Sequence, residues 1–216
     1  MKQLNAFITA EGCTDYDFLP VLLERALAGV CLPYGITVAA VQPLRVTVRG
    51  KESKHEAICR TARLAAVGMT LLFHHYDGSA DINRETRKYW DPLLREWGRS
   101  GPGRPLVHVV PVREMESWAL ADAAVLRRVA GSDWNPKDVC DGEKISDVER
   151  LKDPKRTLND VIAAGRRRRR AGREPREYLP LIAETLNLKL LERLPSYRLW
   201  KDETVEALRK LELVRD

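Results

Sequence analysis

Cysteine is scarce in this 216-residue chain, and what there is stands badly placed for cross-linking. Cys13, Cys31, Cys59 and Cys140 include no C-x-x-C pair, which argues against both a zinc site and a disulfide framework. A reducing cytoplasm is the expected home. No apolar run approaches the length of a membrane span, and the short apolar start is interrupted by Glu11 too early for a signal peptide, so a soluble protein is expected. No G-x-S-x-G elbow is present and the cysteines have no recognisable His context, leaving nucleophilic catalysis without support. Gly50-Lys51 resembles the end of a phosphate loop, but the upstream glycine such a loop needs would fall at Arg45. The segment Ser100-Gly101-Pro102-Gly103-Arg104-Pro105 is too short and proline-rich for that role and reads as a turn.

What the chain does have is length for one α/β domain with a full core plus an appendage. Its net charge of +6 is local. Seven arginines (Arg166, Arg167, Arg168, Arg169, Arg170, Arg173 and Arg176) stand against Glu174 and Glu177, and the rest of the chain is nearly neutral. Such a block reads as a phosphate-binding patch for nucleic acid. The competing reading is a solvated helix end, where the helix dipole favours cations; five arginines in a row exceed what that effect needs.

The chain is organised around its first strand and the turn after it, LNAFITAEGCTDYD. An apolar run through Ile8 ends at Glu11-Gly12, and Thr14, Asp15 and Asp17 then cap an apolar-periodic helix with Pro20 in its first turn. Ile36 to Val48 reads as an edge strand divided by Pro43. Ser53 and Glu56 form a capping box for a helix to about Val67, and Thr70 to Tyr76 is a short buried strand ending at Asp77-Gly78-Ser79-Ala80-Asp81. Adjacent residues on a strand point to opposite faces, so His74 and His75 cannot both face one site. Asn83 is the expected cap of the next helix, which is kinked or restarted near Asp91-Pro92 and carries Tyr89, Trp90, Leu93, Leu94 and Trp97 as core. A third buried strand, Leu106 to Val112, leads to Glu114 and Glu116. Trp134-Asn135-Pro136 and Asp141-Gly142 are turn signals, Asp153-Pro154 starts a helix running into the arginine block, and short amphipathic helices with Trp200 in their core close the chain. The pattern predicts an α/β domain over 1–130, a mostly parallel sheet flanked by helices, with a mostly helical extension over 131–216 packed on it.

Right-handed crossovers in such a sheet bring the C-terminal ends of the strands to one edge, where ligands bind in open α/β folds. On that edge the chain places Glu11, Asp15, Asp77, Asp81, Glu114 and Glu116. Clustered carboxylates repel, and the usual relief is a hard cation such as Mg²⁺ or Mn²⁺. Each acid also has an ordinary reading as a solvated turn or helix cap. The expectation is that Glu11, Asp77 and Glu116 share a divalent-metal site, completed or supported by Asp15 and Glu114.

Strand, Glu-Gly, Asp15 and helix, followed by a strand ending in Asp77, resemble the Toprim domain of primases, topoisomerases and the nucleases of the overcoming-lysogenization-defect group. The wider pattern (EGCTDYDFLPVLL, FHHYDGSADI, VVPVREMESWALAD and DPKRTL) is similar to a Toprim-like bacterial family of unknown function associated with phage-defence systems. The resemblance implies Mg²⁺ held by Glu11 and the acids after the buried strand, with Glu11 and Asp77 catalytic. Where Toprim has Asp-x-Asp, this chain has Ser79 two residues after Asp77, so Asp81 or Glu116 would have to replace the missing ligand. It further implies a basic residue beyond the metal cluster; Lys155, at a helix start, takes that role or is simply a solvated first turn. The expected function is a metal-dependent nuclease acting on DNA or RNA, with an ATPase encoded nearby as a candidate partner and homo-oligomerisation open. The alternatives are a non-catalytic module that binds nucleic acid through the arginines, and a purely structural role.

Overall fold

The computed structural model describes residues 2–131, 133, 145–169 and 175–214. The turn signals at Trp134-Asn135-Pro136 and Asp141-Gly142, together with Arg170 and Arg173, lie outside the described residues. The opening strand is an extended run broken at Asn5 into β1 (Lys2–Leu4) and β2 (Ala6–Thr9). Helix α1 (Asp15–Cys31), strands β3 (Ile36–Val38) and β4 (Gln42–Pro43), helix α2 (Lys54–Ala65) and strand β5 (Leu71–His75) follow. A short α3 (Ile82–Glu85) and a π-helical turn over Thr86–Trp90 run into α4 (Asp91–Ser100), and β6 (Leu106–Val109) completes the strands. Beyond it come α5 (Glu116–Ala119), α6 (Ala123–Ala130), a 3-10 segment (Ile145–Arg150), α7 (Pro154–Arg169), α8 (Pro175–Thr185), α9 (Leu188–Leu191) and α10 (Pro195–Lys210).

Every strand pair is parallel: β1 with β3, and the order β4-β2-β5-β6 in the larger sheet. The fold is therefore α/β, a parallel sheet flanked by helices, and the C-terminal ends of β2, β5 and β6 share one edge. The two-residue period of the strands sorts the core. Ile8, Leu71, Phe73, Val107 and Val109 join the cluster that holds Phe18, Leu22, Trp118 and Trp200, while Leu72, Tyr76 and Val110 join Ile58, Ala62, Leu93 and Trp97. With both faces covered, all five residues of β5 are buried, as expected for a central parallel strand. The C-terminal helices pack in the α1 cluster: the rings of Phe73 and Trp200 lie 5.8 Å apart, and Arg25 on α1 donates to the Ala183 and Leu186 carbonyls at 2.6 and 2.9 Å. Among the described residues no helix is long and apolar enough to cross a membrane.

The Ser53–Glu56 capping box is formed: Ser53 Oγ accepts from the Glu56 amide and Glu56 Oε2 from the Ser53 amide. Four local expectations are corrected. Of the residues expected in the core of the helix after β5, Trp90, Leu93 and Trp97 are buried, but Tyr89 and Leu94 are exposed. Pro20 lies in the second turn of α1, not the first, where it denies the Tyr16 carbonyl its usual helical donor; burial of Phe18, Leu19, Leu22 and Leu23 around it outweighs that loss. The edge strand predicted over Ile36 to Val48 is two short pieces parted at 39–41, and Pro43 belongs to the second, on a sheet edge where no ladder bond needs its missing N–H. The cap after β5 is Asp81 rather than Asn83: its Oδ1 accepts from the Arg84 amide at 3.0 Å, and Asn83 lies inside α3.

Candidate functional site

The turn from β2 into α1 is built around Asp15. Its Oδ2 accepts from the Gly12 amide at 2.7 Å, and a Cβ on Gly12 would press to 3.1 Å from that oxygen, so glycine lets the turn close on the carboxylate. Tyr16 braces the turn from outside, its hydroxyl accepting from the Ala10 amide at 2.9 Å and donating to the Leu44 carbonyl at 3.2 Å. Asp15 is thereby held buried, whereas Glu11 is exposed and forms an ion pair with Lys54 at the start of α2.

At the end of β5 the two histidines diverge. His74 meets Thr9 Oγ1 through Nδ1 at 2.8 Å; burial drives its pKa down to about 3, so it stays neutral packing. His75 donates from Nδ1 to the Val109 carbonyl at 2.8 Å, across the β5–β6 pairing that sets His75 beside Val109. That fixes the ring and leaves Nε2 aimed at the acidic edge, 3.7 Å from Asp15 Oδ2 and 3.6 Å from Asp77 Oδ1. This buried atom makes no hydrogen bond to any described residue. His75 is the site residue that sequence reasoning missed: alternation showed that one of the pair had to face away, and only the register shows which.

The loops after β5 and β6 interlock. Ser79 and Arg113 both sit at positive φ, 49° and 65°, and the Arg113 amide donates to the Ser79 carbonyl at 2.8 Å. Gly78 passes so close to the neighbouring loop that a Cβ would lie 2.5 Å from the Pro111 carbonyl oxygen. Strained non-glycine backbone of this kind gathers at functional sites. Ser79, at the position where an acid is expected from the resemblance, is thus occupied in shaping the loop, and the Asp81 carboxylate is spent on capping α3.

From the β6 end, Glu114 Oε2 accepts the backbone amide of Lys155 at 3.1 Å, and Asp153 Oδ1 accepts that of Arg156 at 2.8 Å, so two carboxylates satisfy the first turn of α7. Glu116, only 6 % exposed, lines a cavity with Lys155. Arg166, Arg167, Arg168 and Arg169 form the last turns of α7.

The acids are electrostatically joined. Desolvation lifts the half-exposed Asp77 carboxyl to about 6; His75 opposes the rise, and Asp15, Glu114 and Glu11 add to it. Desolvation likewise raises Glu116 to about 7, helped by Glu114 and Asp15 and opposed by its own backbone amide and Lys155. Mg²⁺ is habitually held by only one or two carboxylates, with water and substrate phosphate completing its shell. Among the described residues, however, no three His, Cys, Asp or Glu side chains converge to hold a metal ion. The expected site shared by Glu11, Asp77 and Glu116 is therefore not assembled. Lys54 takes Glu11, the start of α7 takes Glu114, α3 takes Asp81, and Glu116 withdraws into its cavity, leaving Asp15 and Asp77 beside His75.

No protein-family model, curated protein or solved structure matches the chain.

Proposed function

We propose that the chain is a divalent-metal-dependent nuclease of Toprim type, hydrolysing phosphodiester bonds of DNA or RNA, and the effector of a bacterial phage-defence system with a nearby-encoded ATPase as partner. The observation that carries the chemistry is the approach of Asp15 and Asp77 to the unpartnered His75 Nε2 at the common edge of the strands. Asp15 and Asp77 would hold Mg²⁺ or Mn²⁺ through carboxylate oxygens, with water and substrate phosphate filling the other positions. The ion, when bound, supplies an activated water and neutralises charge on the phosphate. Gly12 and Tyr16 keep Asp15 in place, the Val109 carbonyl orients His75, and Lys155 offers a cation beside the edge for phosphate charge as it develops. Arg166 to Arg170 and Arg173 hold the nucleic-acid backbone.

The test is cleavage of single- and double-stranded DNA and RNA by the purified chain with Mg²⁺ or Mn²⁺, compared with Asp77→Asn and Asp15→Asn. Metal-dependent cleavage lost in both variants is expected; absence of cleavage on every substrate with either ion overturns the nuclease. The second reading, a non-catalytic nucleic-acid-binding module, is favoured by the Glu11–Lys54 ion pair, which engages the acid that the resemblance makes catalytic. Binding without cleavage, with a salt dependence that flattens when Arg166 to Arg170 are changed to Gln, selects it.

A further inference from the structure

Between the turn before α1 and helices α7 and α8 lies a cavity of about 300 Å³. That is at the lower end of small-ligand sites and suits a single nucleotide unit rather than a longer stretch of strand. One wall is aliphatic, made by Leu158 and Ile162, one turn apart on α7, and Leu179 on α8. Lys155 and Asn159 lie on the same face of α7 as Leu158 and Ile162, and Glu116 and Arg176 complete the lining. Glu116 and Asn159 bring hydrogen-bonding side chains, and Lys155 and Arg176 bring positive charge. Arg176 is itself anchored by an ion pair with Asp17 on α1, which fixes its guanidinium at the rim.

We propose that this cavity is a nucleotide subsite: it takes the base and sugar of one nucleotide against Leu158, Ile162 and Leu179, reads the base edge with Asn159 and Glu116, and directs the attached phosphate past Lys155 toward Asp15 and Asp77.

The chemistry of the lining selects this ligand class. A flat apolar body needs the aliphatic wall; a base edge needs partners that both donate and accept. The Asn159 amide has both capacities. The Glu116 carboxyl adds acceptor oxygens to the same lining. An anionic ligand needs the cations at the rim. Bases unstacked from a strand are recognised in this way, by edge hydrogen bonds and apolar contact in a closed pocket. Position supports the assignment as well. Thr14, adjoining Asp15 in the turn before α1, lines the cavity, and Asp15 Oδ2 is 3.7 Å from His75 Nε2, so the pocket adjoins the acidic edge. On the other side, the helix that supplies Leu158 and Ile162 continues into Arg166, one further turn or roughly 6 Å along its axis. The pocket therefore lies between the proposed cleavage edge and the proposed backbone-binding block.

The proposal rests on the nuclease reading for the identity of its ligand, but its test reads binding in EDTA, where no metal-dependent cleavage occurs. Binding of ribo- and deoxyribonucleoside 5′-monophosphates, and of a fluorescein-labelled single-stranded oligonucleotide, is measured on the full chain and on Asn159→Trp, which fills the cavity from an exposed rim position. Affinity should fall at least about tenfold in Asn159→Trp with the melting temperature unchanged. If monophosphates bind and compete with the oligonucleotide, the pocket takes a free nucleotide; if only the oligonucleotide is affected, it takes a nucleotide within a strand. Methyl NMR of the unaltered chain gives a second readout: Ile162 and Leu179 methyl signals should shift on adding ligand. Unchanged affinity in a folded Asn159→Trp, or methyl signals that ignore bound ligand, overturns the subsite. A chain that binds nucleotide here yet cleaves nothing overturns the nuclease alone.

Discussion

His75 Nε2 stands 3.6 Å from Asp77 Oδ1, a buried imidazole against a carboxylate half in solvent. Of the neighbours that set the proton affinity of Asp77, His75 opposes the rise that Asp15, Glu114 and Glu11 reinforce. In His75→Gln the Asp77 carboxyl is expected to titrate above about 6, and stability to drop by about 1 kcal/mol as the bond to the Val109 carbonyl is weakened. Carboxyl-carbon NMR titration of both proteins checks the first effect and urea unfolding the second; an unmoved Asp77 titration would show that the two groups do not communicate.

Glu116 makes stability depend on pH. Its carboxyl is raised from the ordinary value of 4.5 to about 7, so the folded chain holds a proton that the unfolded chain releases. The stabilising contribution of the neutral acid is complete below pH 4.5 and is lost as pH rises through about 7. Glu116→Gln, neutral throughout, should flatten the unfolding free energy across that window, gaining on the order of 1–3 kcal/mol relative to the parent at pH 8. Denaturant midpoints at several pH values provide the measurement, and parallel profiles for the two proteins would refute it.

Lys54 competes for Glu11. Both side chains are substantially exposed, at 49 % and 40 %, so breaking their ion pair should cost less than about 1 kcal/mol. Lys54→Ala is expected to melt within a few degrees of the parent yet reach half-maximal cleavage at a lower Mn²⁺ concentration, because the freed Glu11 adds an oxygen donor at the edge. Glu11→Gln should keep the fold and, combined with Lys54→Ala, return the Mn²⁺ requirement to that of the parent. Identical metal titrations for Lys54→Ala and the parent would remove Glu11 from the site.

Gly165 marks where α7 crosses the end of α6. A Cβ there would lie 2.0 Å from the Ala130 carbonyl oxygen, a backbone atom that cannot swing aside. Gly165→Ala should therefore destabilise the chain by roughly 1–3 kcal/mol, although alanine is the better helix former. A lower urea midpoint with the slope retained is the expected result; an unchanged midpoint would mean that the helices separate at little cost.

The residue pattern by itself determined the alternation of strand and helix, the parallel sheet, the capping box at Ser53 and the burial of Trp200, because each depends on local periodicity or on chemistry within a few residues. It also determined that acids follow β2, β5 and β6, since a parallel sheet brings those ends to one edge whatever the details. Which acids remain available there was decided only by tertiary structure. Glu114 meets the amide of Lys155, 41 residues away, Glu11 meets Lys54, 43 residues away, and His75 is aimed by a carbonyl 34 residues on. A carboxylate in a sequence is the same symbol whether it caps a helix, pairs with a lysine or waits for a ligand. Its role is fixed by which positive end or amide the chain brings within about 3 Å, and that competition is settled by packing between elements distant in sequence.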